Sequence, residues 1–91
     1  MPKIYIIGSV GSGKTTFARK LSSELNVPHY ELDLVTWEYN PNGQDRKRSD
    51  DEITILYEDI LNKKEWIIEN VGKSIYDKGY DVADTIIYLK L

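Results

Sequence analysis

Cysteine is absent from this chain. That rules out disulfides, zinc–thiolate centres and cysteine nucleophiles, and it suits a cytoplasmic address. Long apolar runs are missing too: with 41% hydrophobic and 30% charged residues, the chain reads as neither a membrane span nor a disordered tail. Basic surplus is lacking as well. Twelve Lys+Arg against fifteen Asp+Glu leave a net charge of −3, so no general field draws in nucleic acid or acidic membranes. No repeat and no Ser/Gly/Pro-rich linker divides the chain, and a single domain over residues 1–91 is expected. The first apolar run starts at once, and no signal peptide is expected. Ninety-one residues are few for an α/β fold with both sheet faces covered.

What is present centres on Gly8-Ser9-Val10-Gly11-Ser12-Gly13-Lys14-Thr15, which has the G-x-x-x-x-G-K-T spacing of a phosphate-binding loop. Its flanks fit. Lys3-Ile4-Tyr5-Ile6-Ile7 is a short β-branched run suited to a strand buried on both faces. From Thr16 to Leu25, Phe17, Ala18, Leu21 and Leu25 share one helical face. The chemistry follows from the residue types. Glycines let backbone amides turn inward around an anion, and a helix starting near Lys14 adds unpaired N–H groups and the positive end of its dipole. Lys14 is then the group that reaches the β- and γ-phosphates of a bound nucleotide, Thr15 the Mg²⁺ ligand, and Thr16 either a cap or an α-phosphate contact.

Downstream, Asn26-Val27-Pro28 stops the first helix, and His29-Tyr30-Glu31-Leu32 reads as an edge strand ending at Asp33. A carboxylate at the carboxyl end of a parallel strand lies where such sheets bind ligands, so Asp33 is a candidate catalytic residue beside Lys14. His29, the sole histidine, reads as packing at a strand start. Trp37 either lines a pocket or anchors a loop that turns at Asn40-Pro41-Asn42-Gly43, and Arg46-Lys47-Arg48 is read as a solvated cluster ahead of a role in holding an anion. Ser49-Asp50-Asp51-Glu52 has capping-box spacing, and Ile53, Leu56, Tyr57, Ile60 and Leu61 form the core stripe of the helix it opens. Trp66-Ile67-Ile68 is a third strand, opening onto the second-tier candidates Glu69, Asn70, Val71 and Gly72. Ser74 to Lys78 reads as one helical turn with Gly79 at its C′ position, and Thr85-Ile86-Ile87-Tyr88-Leu89 as a fourth strand. The expected fold is α/β with a parallel sheet of about four strands and helices on both faces, and the tyrosines fall in core or rim.

Ile6 to Thr16, Glu31-Leu32-Asp33 through Trp37, Trp66-Ile67-Ile68-Glu69-Asn70 and Ala83-Asp84-Thr85-Ile86-Ile87-Tyr88-Leu89 together resemble the P-loop small kinases. More narrowly, they resemble the adenylate-kinase-related proteins labelled DNA topology modulation or FlaR-like. The resemblance implies a three-layer P-loop NTPase fold with sheet order 2-3-1-4-5. It also implies ATP over Gly8 to Thr16 with Mg²⁺, and Asp33 orienting a small acceptor such as a nucleotide or a magnesium-bound water. Relatives commonly read Asp-Gly-Asn where this chain has Glu69-Asn70. They also continue into an arginine-bearing lid and a fifth strand, so the resemblance implies a chain cut short before both, with turnover left open and an unpaired last strand open to self-association. A GTPase switch is disfavoured because neither Asn-Lys-x-Asp nor Asp-x-x-Gly occurs in order, and nucleic-acid binding because of the acidic balance.

Overall fold

The computed structural model describes residues 2–8, 13–70 and 74–89. β1 (Lys3–Gly8) lies inside a four-stranded parallel sheet. Its apolar residues repeat without a polar face, as a strand covered on both sides requires. β5 (Trp66–Asn70) pairs along one side of it, with Ile4 opposite Ile67 and Ile6 opposite Glu69. β6 (Thr85–Leu89) pairs along the other, with Ile4 opposite Thr85. β2 (His29–Glu31) adds to the far side of β5, giving the order β2-β5-β1-β6. This is the order 2-3-1-4 expected for the first four strands, and β2 is the edge anticipated for it.

Side chains alternate across the sheet and meet a different layer on each face. Ile4, Ile6 and Ile67 pack with Ala18 and Val27 on the side of α1 (Lys14–Leu25). On the other side, Tyr5, Trp66 and Ile68 pack with Ile53, Tyr57, Ile60 and Leu61 of α3 (Asp50–Leu61) and with Leu32 and Val35 of α2 (Leu32–Thr36). The three layers anticipated are therefore present. The amphipathic stripes are narrower than their spacing suggests: Phe17 and Leu25 on α1 and Leu56 on α3 stay substantially exposed, because one short helix cannot cover all the sheet and leaves its flanks wet.

Local signals act as their chemistry requires. Asn26 ends α1 in the left-handed conformation (φ 56°, ψ 47°), its N–H returning to the Ser22 carbonyl. Ser49 caps α3 by accepting from the Glu52 amide, while the Glu52 carboxylate accepts from the Ser49 amide.

Three readings need correction. β2 ends at Glu31, and Asp33 sits in the first turn of α2 instead of closing the strand. The stretch read as loop carries an antiparallel ribbon, β3 (Trp37–Glu38) with β4 (Arg46–Lys47), turning through Asn40 to Gly43, and Trp37 is exposed on it. Gly79 is not a C′ residue but lies within α4 (Lys78–Val82), after a 3₁₀ turn at Ser74–Tyr76. A Cβ there would collide with the Tyr5 ring and the Tyr57 hydroxyl, so close approach and not a left-handed turn demands glycine. The tyrosines fall in core or rim as anticipated, and three of the buried ones, Tyr5, Tyr57 and Tyr76, form a polar knot. Tyr5 and Tyr57 both donate to the Tyr76 carbonyl, at 2.9 and 2.6 Å; Asn70 donates to the Tyr5 hydroxyl and the Gly79 amide to that of Tyr57. Burial raises the pKa of the Tyr5 phenol, which stays protonated and able to donate.

Candidate active site

The carboxyl ends of β1, β2 and β5 converge on the amino-terminal turn of α1. Gly13, immediately before that helix, has φ +85° and ψ 13°, and its carbonyl accepts the first helical hydrogen bond from Phe17 at 3.0 Å. Nothing crowds a Cβ at Gly13, so the left-handed backbone is what selects glycine. Among the described residues no side chain caps α1, and its first turn holds Lys14, Thr15 and Thr16 with no acidic residue. Its first turn therefore offers the positive end of the dipole with no acidic residue of its own to offset it. Ser9, Val10, Gly11 and Ser12, the centre of the phosphate-loop motif, lie outside the described residues, as do Val71 and Gly72. Gly8 is the last residue of β1, and Thr16 is exposed on α1.

Lys14 is 8% exposed and lines a cleft of about 20 Å³ with Glu31, Leu32, Asp33, Glu69 and Asn70. That is room for one water or one small ion. The two residues read as catalytic, Lys14 and Asp33, thus share a cleft, although they come from helices separated by β2.

Glu69 is the centre of the arrangement. It points to the α1 side of the sheet, as does Ile67 two residues earlier, and is only 7% exposed. Both of its oxygens are engaged. Oε1 accepts from the Thr15 hydroxyl at 2.6 Å, and Oε2 lies 2.7 Å from His29 Nε2, whose N–H donates. Both lengths fall in the range of hydrogen bonds to an ionised acceptor. Glu31, opposite Glu69 in the β2–β5 register, completes a group with His29 whose ligand atoms lie within 4.8 Å of one another. Arg19, one turn along α1 from Thr15, approaches Glu31 at 3.6 Å.

Glu69 ranked second in the sequence and His29 ranked as packing; the fold brings both to Thr15. Strand pairing is the reason. His29 and Glu31 share a face by their i, i+2 spacing, and the parallel register sets Glu31 beside Glu69. The alternation was readable, but the register was not. The basic cluster turns out to be structural: Arg46 pairs with Glu38 and Glu52, and Arg48 donates to the Leu34 and Val35 carbonyls. No described helix is long and apolar enough to cross a membrane.

The oxygen donors fit a magnesium ion. A hydroxyl and a buried carboxylate already in contact beside a lysine, with a second carboxylate near, are the hard ligands Mg²⁺ takes, the rest being water and phosphate.

No protein-family model matches the chain. Among curated proteins it is similar to the shikimate kinase of Blochmanniella floridana, 28% identical over 103 residues covering 97% of this chain and 54% of that protein. It is likewise similar to the shikimate kinase of Pseudoalteromonas atlantica, 27% identical over 85 residues covering 84% and 48%. The chain spans about half the length of the curated relatives it matches. Among solved structures, a gluconokinase from Sinorhizobium meliloti superposes with a TM-score of 0.62 over 96% of this chain and 56% of that one, at 17% identity. That likeness concerns the fold. These relatives are named for shikimate and gluconate, so a nucleotide is not singled out as acceptor, and the narrower adenylate-kinase-related likeness gains nothing from them. The fold is a three-layer α/β architecture with a parallel four-stranded sheet, like that of the gluconokinase.

Proposed function

We propose that this chain carries the nucleotide-binding site of an ATP-dependent kinase that phosphorylates a small polar acceptor. The observation that carries the reading is the Thr15–Glu69 contact beside Lys14, at the uncapped start of α1. In P-loop NTPases the loop Ser/Thr and a carboxylate from a neighbouring strand hold Mg²⁺ together. Here the carboxylate is a glutamate. The hydrogen bond it accepts from Thr15 supports that role for the glutamate standing where relatives commonly carry aspartate.

Each residue then has a task. Gly8, Ser9, Val10, Gly11, Ser12, Gly13, Lys14, Thr15 and Thr16 enclose the phosphates, the glycines by letting amides face inward. The Lys14 ammonium binds the β- and γ-phosphate oxygens. Thr15 and Glu69, with Glu31 acting through water, are the residues that would hold Mg²⁺, and the bound ion would neutralise charge on the phosphate oxygens. Asp33 faces the same cleft and orients the acceptor hydroxyl. As that oxygen bonds to the γ-phosphorus and the bond from phosphorus to the β–γ bridging oxygen breaks, Asp33 takes the hydroxyl proton and ADP leaves.

The acceptor class is open to a direct trial. Coupled assays should compare shikimate, gluconate and a set of nucleoside monophosphates; the nucleotides represent the finer, adenylate-kinase-related reading. Binding is tested by titrating Mg²⁺–ATP into wild type and Lys14→Ala in a calorimeter. Losing charged hydrogen bonds worth about 1.5–3 kcal/mol should weaken binding about 10- to 150-fold. Equal affinities would end the reading. Tight ATP binding with no turnover on any acceptor would favour a nucleotide-binding role alone.

A further inference from the structure

Glutamate brings a difficulty that aspartate would not. It has one more rotatable bond, so a carboxylate that must meet Thr15 is held less firmly by its own backbone. The neighbour directly across the strand makes this worse. Glu31 faces Glu69 in register, and like charges in that position repel. Two contacts answer these pressures. Arg19 approaches Glu31 from α1 at 3.6 Å, and His29 takes the Glu69 oxygen that Thr15 does not. His29 opens β2 opposite Ile67, so it stands diagonal to Glu69, within reach of a long side chain.

We propose that His29 is a positioning residue: its Nε2–H fixes the Glu69 carboxylate so that Oε1 stays aimed at Thr15 and at the nucleotide-bound cation. This rests on the nucleotide-binding reading above. His29 acts through Glu69 and touches neither phosphate nor acceptor. A hydrogen bond behind a metal-holding carboxylate is the usual means of orienting it, and its removal typically costs 10- to 100-fold in metal affinity.

The test needs no acceptor. ADP is titrated by calorimetry with and without Mg²⁺ into wild type, His29→Ala and His29→Gln, and the readout is the factor by which Mg²⁺ tightens binding. His29→Ala should reduce that factor about tenfold and leave metal-free ADP affinity within about twofold. His29→Gln places an amide N–H near the position of Nε2 and should restore most of the factor; it also keeps the test usable if alanine lowers stability. The proposal is overturned if His29→Ala keeps the full Mg²⁺ effect, if metal-free affinity falls by the same factor, or if glutamine behaves as alanine does. It is equally overturned if Mn²⁺ tightening is lost in His29→Ala while Mg²⁺ tightening survives, since the imidazole would then be a ligand itself. No ADP binding by wild type under either condition would remove the nucleotide reading, and this proposal with it.

Discussion

The two twelve-residue helices of this protein begin in opposite ways. α3 starts with Ser49 and three acidic residues, Asp50, Asp51 and Glu52, and closes a reciprocal capping box. Its free amides and its dipole are compensated by its own sequence. α1 starts with a left-handed glycine, no capping side chain and a lysine. The start of α3 is finished; that of α1 is left to be completed by an anion from outside. The contrast also sorts the surrounding charges. Beside α3 the cation Arg46 is consumed by Glu38 and Glu52, whereas beside α1 the buried Lys14 faces a cleft. What makes a helix start a site is the missing cap together with a cation and a carboxylate brought in by the sheet.

The contrast can be broken by giving α1 what α3 has. Thr16 occupies the third helical position of α1, as Glu52 does in α3. Thr16→Glu should weaken Mg²⁺–ATP binding by about tenfold or more while raising helix stability by about 0.3–1 kcal/mol. Calorimetry and thermal melts read the two opposed effects, and unchanged affinity would mean that the α1 terminus does not receive phosphate. The converse change, Ser49→Ala, removes the α3 cap and should cost about 1 kcal/mol, a fall in melting temperature of roughly 4–8 °C for a domain of this size, with nucleotide affinity untouched.

The smallest expected effect is at Arg46. Its hydrogen bonds hold the partly exposed Glu52 carboxyl at about 2, below its ordinary value. A lowered carboxyl pKa stabilises above the ordinary value and loses that contribution as pH falls toward 2. Arg46→Ala should therefore melt slightly below wild type near neutral pH, and the difference should close as the solution is acidified. Screening by solvent keeps the difference small. A difference that grew with acidity would contradict the pairing.

How far the sequence revealed all this depended on distance along the chain. The Asn26 stop, the Ser49 box, the buried runs of β1 and β5 and the β-branched run of β6 are local effects, each set by a few adjacent residues, and each appears where its chemistry put it. Of the candidate site, Lys14, Thr15 and Asp33 were singled out from sequence, and the fold brings them to one end of the sheet. Glu69 stood out only as polar residue at a strand end, and His29 not at all, because their meeting depends on pairing residues 40 apart. Gly79 was misjudged for the same reason: the Tyr5 and Tyr57 side chains that exclude a Cβ there come from β1 and α3. β6 was read correctly as a strand, and it lies at the sheet's outer edge with Ile86 and Tyr88 exposed.

One titration puts the contrast between the two helix starts to proof. In ¹⁵N-labelled protein, Mg²⁺–ADP is added while the backbone amides of both first turns are followed by NMR. The account predicts saturable shifts at Gly13, Lys14, Thr15 and Thr16, with Ser49, Asp50, Asp51 and Glu52 unmoved. Shifts of equal size at both helix starts, or none at the first, would contradict it.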